Sequence, residues 1–334
     1  MAGEVVNQTV VLAKYIYAWL TASVSNPLLH KPPNRYQQFI FNFTKNKRMK
    51  PYINFICGLL LLNFLFSTSI KAQTDLKAIP YGNNKEAGNF IAVNGVKIYY
   101  EIYGKGSPLV LIHGNGGNIA YMKPQIEYFD KKYKVIVMDC RGRGNSELGK
   151  DSLTYMQMTK DIIAILNYLH LDSTYVVGRS DGGIIALLMA IYYPDKVKKV
   201  AAFGANITPD TTGLYPIFYH QFVEVRKHAD EMIAKKDTSQ NWKVLQQRNR
   251  LMEYQPHISV NDLHKIKCPV LVLSCDRDEI PEEHTLFIYR NISKANLCIF
   301  AGENHFVTIN NPDLFNLTVS KYFDEPFKGE ELRQ

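Results

Sequence analysis

The chain has 334 residues, of which 46% are hydrophobic and 12% aromatic, so it is long enough to bury the core of one large domain. Its formal net charge is +8, but seven of these charges come from residues 1–72. Because the rest of the chain is near neutral, nucleic acid is excluded as an expected partner. The five cysteines show no metal-ligand spacing, so neither a metal nor another cofactor is expected.

Residues 49–72 have the pattern of a secretory signal peptide. A short basic start precedes an apolar run over Ile53–Phe66, and small Ala72 lies beside the expected cleavage site. The run is shorter than the ~20 residues that a membrane-spanning helix needs. We therefore expect export, periplasmic or secreted, after cleavage near Ala72.

A signal peptide belongs at the start of a chain, yet this one begins at Met49. The simplest interpretation is that translation starts at Met49 and that residues 1–48 are an extension from a mis-assigned start. The alternative is a signal anchor over residues 51–70 with a basic tail on the cytoplasmic side. A stable membrane partner is expected only in that second case.

From residue 89 onward, apolar strands alternate with helices. Two strand-like segments, Asn89–Val93 and Lys97–Tyr103, are joined by Asn94-Gly95, which is typical of a two-residue hairpin turn. Further strands are predicted over Pro108–His113, Tyr133–Asp139, Ser173–Val177, Val197–Phe203, Val270–Ser274 and Ala295–Phe300. Helices are predicted over Ala120–Asp130, Ser152–Leu171, Asp181–Tyr193, Pro281–Ile292 and Pro312–Phe323.

This alternation indicates an α/β fold with a mostly parallel eight-stranded sheet and helices on both faces. Residues 73–334 form the predicted domain, and residues 205–262 interrupt the alternation after the sixth strand. We expect this insert to be a helical cap over the carboxyl ends of the strands, where such sheets bind ligands. Its aromatic residues either contact an apolar substrate or form the core of the cap, and they are Tyr215, Phe218, Tyr219, Phe222 and Trp242.

Gly178-Arg179-Ser180-Asp181-Gly182 lies between a predicted strand and a predicted helix. A tight strand-to-helix turn leaves no room for side chains at the flanking positions, which explains the two glycines. Such a turn exposes the Ser180 hydroxyl above the sheet, beside the positive end of a helix dipole. Ser180 is therefore the predicted nucleophile.

A serine hydroxyl needs a base to activate it, and the base needs an acid that orients it. His305 follows the last strand, and Asp276 and Asp278 both follow the strand before it. The chain order Ser, Asp, His is the one expected for this architecture. His305 is the predicted base, and these residues leave the two aspartates as alternatives for the acid.

His113-Gly114-Asn115-Gly116-Gly117 follows the third strand. Its glycines let backbone N–H groups approach a substrate oxygen. We expect the N–H groups of Asn115 and Asp181 to form an oxyanion hole, in which one donor can supply ~3 kcal/mol of transition-state stabilisation. The side chain of His113 is interpreted as structural.

These motifs, with Asp139-Cys140-Arg141-Gly142-Arg143-Gly144-Asn145-Ser146, resemble the α/β-hydrolase fold superfamily over about residues 89–323. In that family the acid is usually the second acidic residue of a Gly-Asp-x-Asp loop, which falls here on Asp278, with Cys275 in place of the glycine. Gly178–Ile184 and Phe203–Asn206 are similar to the valacyclovir hydrolase (biphenyl hydrolase-like) branch. This chain has Arg179 at the position where that branch has tryptophan.

The carboxylate of Asp181 would oppose negative charge on a nearby oxyanion unless a cation neutralises it. In the branch that the chain resembles, the matching aspartate is thought to bind the substrate α-amino group, which implies cleavage of α-amino acid esters. Two alternatives need no substrate: Arg179 or another local base pairs with Asp181, or the carboxylate merely complements the helix dipole.

The sequence thus predicts a serine hydrolase that cleaves a small-molecule carboxylic ester through Ser180, His305 and Asp278. The same triad would also suit a carbon–carbon bond hydrolase, a lactonase, a peptidase or an acyltransferase. A serine nucleophile disfavours the dehalogenase and epoxide-hydrolase branches, which use an aspartate there. The non-enzymatic alternative is a ligand-binding protein that keeps the fold.

Overall fold

Eight strands form one sheet in the computed structural model, which describes residues 79–329. They are β1 (Gly88–Val93), β2 (Val96–Tyr103), β3 (Ser107–Ile112), β4 (Tyr133–Met138), β5 (Thr174–Arg179), β6 (Val197–Phe203), β7 (Val270–Arg277) and β8 (Ala295–Asn304). Their spatial order is β1-β2-β4-β3-β5-β6-β7-β8. The pairs β1–β2 and β2–β4 are antiparallel and the other five are parallel. The predicted mostly parallel sheet is confirmed.

Nine α-helices connect and cover the strands in the described part of the chain. They are α1 (Lys123–Phe129), α2 (Tyr155–Tyr168), α3 (Asp181–Tyr192), α4 (Pro216–Ala234), α5 (Trp242–Tyr254), α6 (Val260–Leu263), α7 (Glu282–Arg290), α8 (Val307–Asn310) and α9 (Pro312–Asp324). The helices α4, α5 and α6 lie between β6 and β7, which confirms a helical insert after the sixth strand.

The central strands are apolar along their whole length because both of their faces are covered. In β3, Leu109 and Leu111 belong to one hydrophobic cluster, whereas Val110 and Ile112 belong to the cluster on the opposite face. All four side chains are fully buried. Helix α3, which follows Ser180, is buried from Asp181 to Ile191. Because no side of it faces solvent, its residues after Asp181 are small or apolar all round the helix.

Two predicted helices begin later than the periodicity indicated. The helix predicted over 152–171 begins at Tyr155, because Thr154 caps it: the Thr154 hydroxyl accepts the Gln157 N–H at 3.0 Å, and the Gln157 side chain returns to the Thr154 N–H. The helix predicted over 120–130 divides into a 3₁₀ turn and α1. Pro124 lies in the first turn of α1, where its missing N–H costs least.

Polar contacts join the two long helices of the insert. Arg226 on α4 donates to Glu253 on α5 at 2.6 Å and also pairs with Asp230. Asp230 in turn accepts a hydrogen bond from Gln246 at 2.5 Å. Because these contacts are within the insert, α4 and α5 form one structural unit.

Several aromatic residues of the insert contribute to packing. Trp242 is buried, and its indole N–H donates to Asp237 at 2.6 Å. Tyr219 and Phe222 pack against a small cluster formed by Leu214, Met252 and Ile280. For Trp242 the structure supports the interpretation as core of the cap, whereas Tyr219 and Phe222 are half-buried and also pack against Ile280, which lies outside the insert.

The extension over 1–48 and the signal peptide over 49–72 lie outside the described residues, so the export route stays a prediction. Among residues 79–329, no helix is both long and apolar enough to cross a membrane. The four cysteines of this region, Cys140, Cys268, Cys275 and Cys298, are free thiols.

Candidate active site

Ser180 lies in a strained turn between β5 and α3. Its backbone has φ 54° and ψ −119°, a conformation that non-glycine residues rarely adopt. The Ser180 N–H donates to the Phe203 carbonyl at 2.7 Å. A side chain at Gly178 would collide with the Gly182 carbonyl, and one at Gly182 would collide with the Ile112 carbonyl. The glycines therefore permit the close approach of strand and helix that holds the serine in this turn.

His305 and Asp278 form a buried hydrogen-bonded pair. The Nδ1 atom of His305 lies 2.5 Å from Asp278 Oδ1. The carboxylate also accepts the Ser274 hydroxyl at 3.0 Å, the Cys275 N–H at 3.1 Å and the Glu279 N–H at 2.7 Å. Burial alone would raise the pKa of Asp278, but the charge of His305 and these hydrogen bonds outweigh it and lower the pKa. Asp278 is therefore an ionised acceptor for the imidazole N–H at neutral pH.

Asp276 has a different environment from Asp278. It is exposed, and both of its carboxylate oxygens lie 2.8 Å from the Gly302 N–H. It thus joins the end of β7 to the end of β8, shortly before His305, and does not contact the imidazole. Of the two aspartates that the sequence left open, the one in contact with His305 is Asp278.

Ser180 and His305 share neighbours at the end of β6. Phe203 accepts the Ser180 N–H, and its ring centroid lies 5.7 Å from that of His305. A side chain on the next residue, Gly204, would press on the His305 ring. The structure therefore places Ser180, Asp278 and His305 after the carboxyl ends of β5, β7 and β8, with the end of β6 between β5 and β7.

The N–H groups of Asn115 and Asp181 belong to two separate segments, the loop after β3 and the start of α3. Asn115 lies in the loop after β3, where Gly114 contacts Ser180 so closely that a side chain at Gly114 would lie 3.0 Å from the Ser180 Cβ. Asp181 is the first residue of α3, where backbone N–H groups have no partner within the helix. Neither N–H donates to an acceptor among residues 79–329.

The carboxylate of Asp181 is buried and has two partners within the protein. Tyr155 donates its hydroxyl to Oδ1 at 2.8 Å, and the Arg143 guanidinium lies 3.4 Å from Oδ2. Burial raises the pKa of Asp181, while Arg143 and Tyr155 act in the opposite direction. A local base thus neutralises this carboxylate, as one alternative from the sequence proposed, although the base is Arg143 and not Arg179.

Arg179 interacts with the histidine loop instead. Its Nη2 donates to the His305 carbonyl at 3.1 Å, and its guanidinium lies 5.0 Å from the ring centroid of Phe306. Burial lowers the pKa of Arg179, and the neighbouring Glu279 opposes this effect most strongly. Arg179 therefore positions the loop that presents His305.

His113 has a structural position, in agreement with its interpretation from the sequence. Its Nδ1 lies 2.8 Å from the Gly114 carbonyl, and its Nε2 accepts the Cys140 N–H at 3.0 Å. The ring therefore donates from Nδ1 and is neutral. Complete burial lowers the pKa of His113 to about 3, despite the hydrogen bond to Gly114, and the positive charges of three arginines add to the effect.

This pKa makes the stability of the fold dependent on pH. Below the ordinary pKa of 6.5, the unfolded chain binds a proton at His113 that the folded chain takes up only near pH 3. The free energy of unfolding therefore falls as pH falls, by about 2 kcal/mol from this residue between pH 7 and pH 5. Urea unfolding of the wild type and of His113→Gln at both pH values measures the difference.

The exposed His264 offers the matched control. His264→Gln should keep the pH dependence of the wild type, whereas His113→Gln should lose about 2 kcal/mol of it. An identical pH dependence for wild type and His113→Gln would show that the pKa of His113 is the same in the folded and unfolded chain, which would contradict the prediction.

Three residues of this site had no assigned role in the sequence. Tyr155 lies 26 positions and Arg143 lies 38 positions from Asp181, and Arg248 lies 133 positions from Asn115, which it contacts. Arg143 is part of a motif that resembles the family, which could have drawn attention to it. Tyr155 and Arg248 lie in helices with no motif, so no signal in the sequence marked them.

Comparisons with known proteins agree with this architecture. The family model for the α/β-hydrolase fold matches residues 107–216. The crystal structure of the enol-lactonase from Burkholderia xenovorans superimposes with a TM-score of 0.60 at 21% identity, over 71% of this chain and all of that one. The chain therefore has the α/β-hydrolase fold.

Two relatives found by sequence comparison have more specific descriptions. The human serine hydrolase BPHL is 26% identical over 243 residues, which are 68% of this chain and 82% of that protein. The predicted resemblance to the biphenyl hydrolase-like branch is confirmed. RutD of Azorhizobium caulinodans is 34% identical over 132 residues, which are 39% of this chain and only 47% of that protein.

Proposed function

We propose that the protein is a serine hydrolase that cleaves a carboxylic ester through Ser180, His305 and Asp278. The observation that carries the proposal is the buried His305–Asp278 pair, 2.5 Å apart, beside a serine in a strained turn. An ionised carboxylate on Nδ1 fixes the imidazole with its Nε2 free to accept a proton. The relationship to serine hydrolase BPHL supports the same chemistry.

The reaction follows from these positions. Ser180 Oγ attacks the ester carbonyl while His305 Nε2 takes the hydroxyl proton. The tetrahedral intermediate then collapses, its carbon–oxygen bond breaks, and His305 returns the proton to the departing alcohol. Water next attacks the acyl-enzyme with His305 again as the base, which releases the acid and restores Ser180. Asp278 stabilises the imidazolium in each step.

The oxyanion would be bound by the N–H groups of Asn115 and Asp181. Both lie beside Ser180, and neither has an acceptor among residues 79–329. Donors of this kind stabilise the charge that develops on the carbonyl oxygen. The Asp181 carboxylate does not oppose this charge strongly, because Arg143 and Tyr155 already hold it.

These partners also bear on the substrate. An amino group of an α-amino acid ester would have to compete with the buried Arg143 for the Asp181 carboxylate. We therefore propose an ester hydrolase without a requirement for a substrate amine. The binding of an amino group by Asp181 stays a prediction, which one pair of substrates can test.

The test compares the rates at which the purified protein, residues 73–334, hydrolyses valine ethyl ester and N-acetylvaline ethyl ester. We expect Ser180-dependent hydrolysis of both esters at rates within about threefold, because the ammonium makes no differential contact. Ser180→Ala serves as the blank. A clear preference for the free amine would assign Asp181 to substrate binding, and rates equal to the blank for both esters would contradict the hydrolase proposal.

A further inference from the structure

Arg248 reaches from helix α5 of the cap to the loop that carries Asn115. Its Nε donates to Asn115 Oδ1 at 3.0 Å, and the Asn115 amide donates to the Arg248 carbonyl at 3.1 Å. The guanidinium lies against Gly116, where an added side chain would collide with Nη2. Two reciprocal hydrogen bonds thus hold a cation beside the proposed oxyanion hole.

The charge of Arg248 has no carboxylate partner in the described chain, unlike the charges of Arg141, Arg143 and Arg226. Arg141 pairs with Asp161 at 2.7 Å, Arg143 with Asp181 at 3.4 Å and Arg226 with Glu253 at 2.6 Å. No acceptor among residues 79–329 contacts Nη1 or Nη2 of Arg248. A half-buried cation loses hydration, and an anion that approaches it regains part of that free energy.

The charges around Arg248 leave it available to such an anion. Asp181, the acidic group that acts on it, is already held by Arg143 and Tyr155. Glu279 lies 4.0 Å from His305 Nε2 and is the acidic group that acts most strongly on Arg179. Burial and the like charge of Arg143 lower the pKa of Arg248, yet a guanidinium remains charged in proteins. The fork of Nη1 and Nη2 therefore suits a carboxylate.

We propose that Arg248 binds a carboxylate of the substrate, so that the enzyme prefers esters that carry a second, anionic group. The inference rests on the proposed ester hydrolase. A purely structural role would leave Arg248 as a clamp between cap and core through Asn115. The two roles differ in one measurable property, because a clamp does not distinguish a charged substrate from a neutral one of the same shape.

The kinetic test uses two p-nitrophenyl esters that differ only at the far end. One is the mono-ester of adipic acid, and the other is the ester of adipamic acid, in which a carboxamide replaces the carboxylate. We expect the wild type to favour the carboxylate ester by about 10- to 100-fold in kcat/KM, since hydrogen bonds between charged groups are the strong ones. In Arg248→Gln this ratio should fall to about one.

Arg250→Gln is the matched control, because Arg250 lies on the same helix but is exposed and stacks on Tyr254. It should keep the ratio of the wild type. A wild-type ratio near one, or a high ratio that survives in Arg248→Gln, would overturn the inference while leaving the hydrolase proposal intact.

A binding measurement separates failure of the inference from failure of the proposed function. Calorimetry with benzoate and benzamide on the wild type needs no turnover. We expect benzoate to bind at least about tenfold more tightly, and Arg248→Gln to lose this difference. If neither adipic ester is hydrolysed, the hydrolase proposal fails, and equal binding of benzoate and benzamide overturns the inference independently.

Discussion

Replacement of Ser180 with alanine is expected to lower kcat by about 10⁶-fold, because the reaction loses its nucleophile. The N–H groups of Asn115 and Asp181 would still bind the oxyanion, so hydrolysis above the uncatalysed rate should remain. A fluorophosphonate probe should label the wild type at Ser180 and fail to label Ser180→Ala. Steady-state kinetics and mass spectrometry of the labelled peptide measure both effects.

Ser173 provides the control for this experiment. It precedes β5, is exposed, and lies near the end of that strand opposite to Ser180. Ser173→Ala should keep both the rate and the label. Label on any other serine, or full activity in Ser180→Ala, would remove Ser180 from the mechanism.

Replacement of Asp278 with asparagine is expected to lower kcat by about 10⁴-fold. The amide keeps the shape of the side chain but carries no charge, and its NH₂ group can face Nδ1 of His305. The imidazole would then lose the anionic acceptor 2.5 Å away and the tautomer that it imposes. The lowered pKa of Asp278 means that the wild-type carboxylate is ionised throughout a neutral-pH assay.

Asp276 lies two residues earlier and is the matched control. Its carboxylate is exposed and accepts the Gly302 N–H, so Asp276→Asn should change kcat by no more than about threefold. The two variants together decide between the aspartates that the sequence left open. A large loss in Asp276→Asn with little change in Asp278→Asn would reverse the assignment.

The turn around Ser180 is a feature that the sequence alone could predict. Its cause is steric: a strand that leads directly into a helix admits only glycine at two flanking positions, because the carbonyl of Gly182 and that of Ile112 on the adjacent strand β3 occupy the space that side chains would need. The same holds for the strands, because an apolar run such as Val110–Ile112 must be covered on both faces. Short windows of sequence contain both of these patterns, the two glycines around Ser180 and the apolar runs of the strands.

Some boundaries of helices and strands depend on contacts that the hydrophobic periodicity of the sequence does not reveal. The helix predicted from residue 152 begins only at Tyr155, because the Thr154 hydroxyl accepts the free Gln157 N–H and so caps the start of α2. Strand β8 continues to Asn304 because it pairs with the extended end of β7, where Arg277 faces Asn304. That pairing is a property of two distant segments and leaves no trace in either one.

The environment of the proposed site was decided by the tertiary structure. The sequence placed Ser180, Asp278 and His305 after strands whose carboxyl ends share one edge of a parallel sheet, so their proximity followed from topology. It could not show that Arg143 and Tyr155 hold the Asp181 carboxylate, or that Arg248 of the cap reaches Asn115. Sterics and periodicity act between neighbours along the chain, whereas the pairing of charges depends on distances that exist only after the chain has folded.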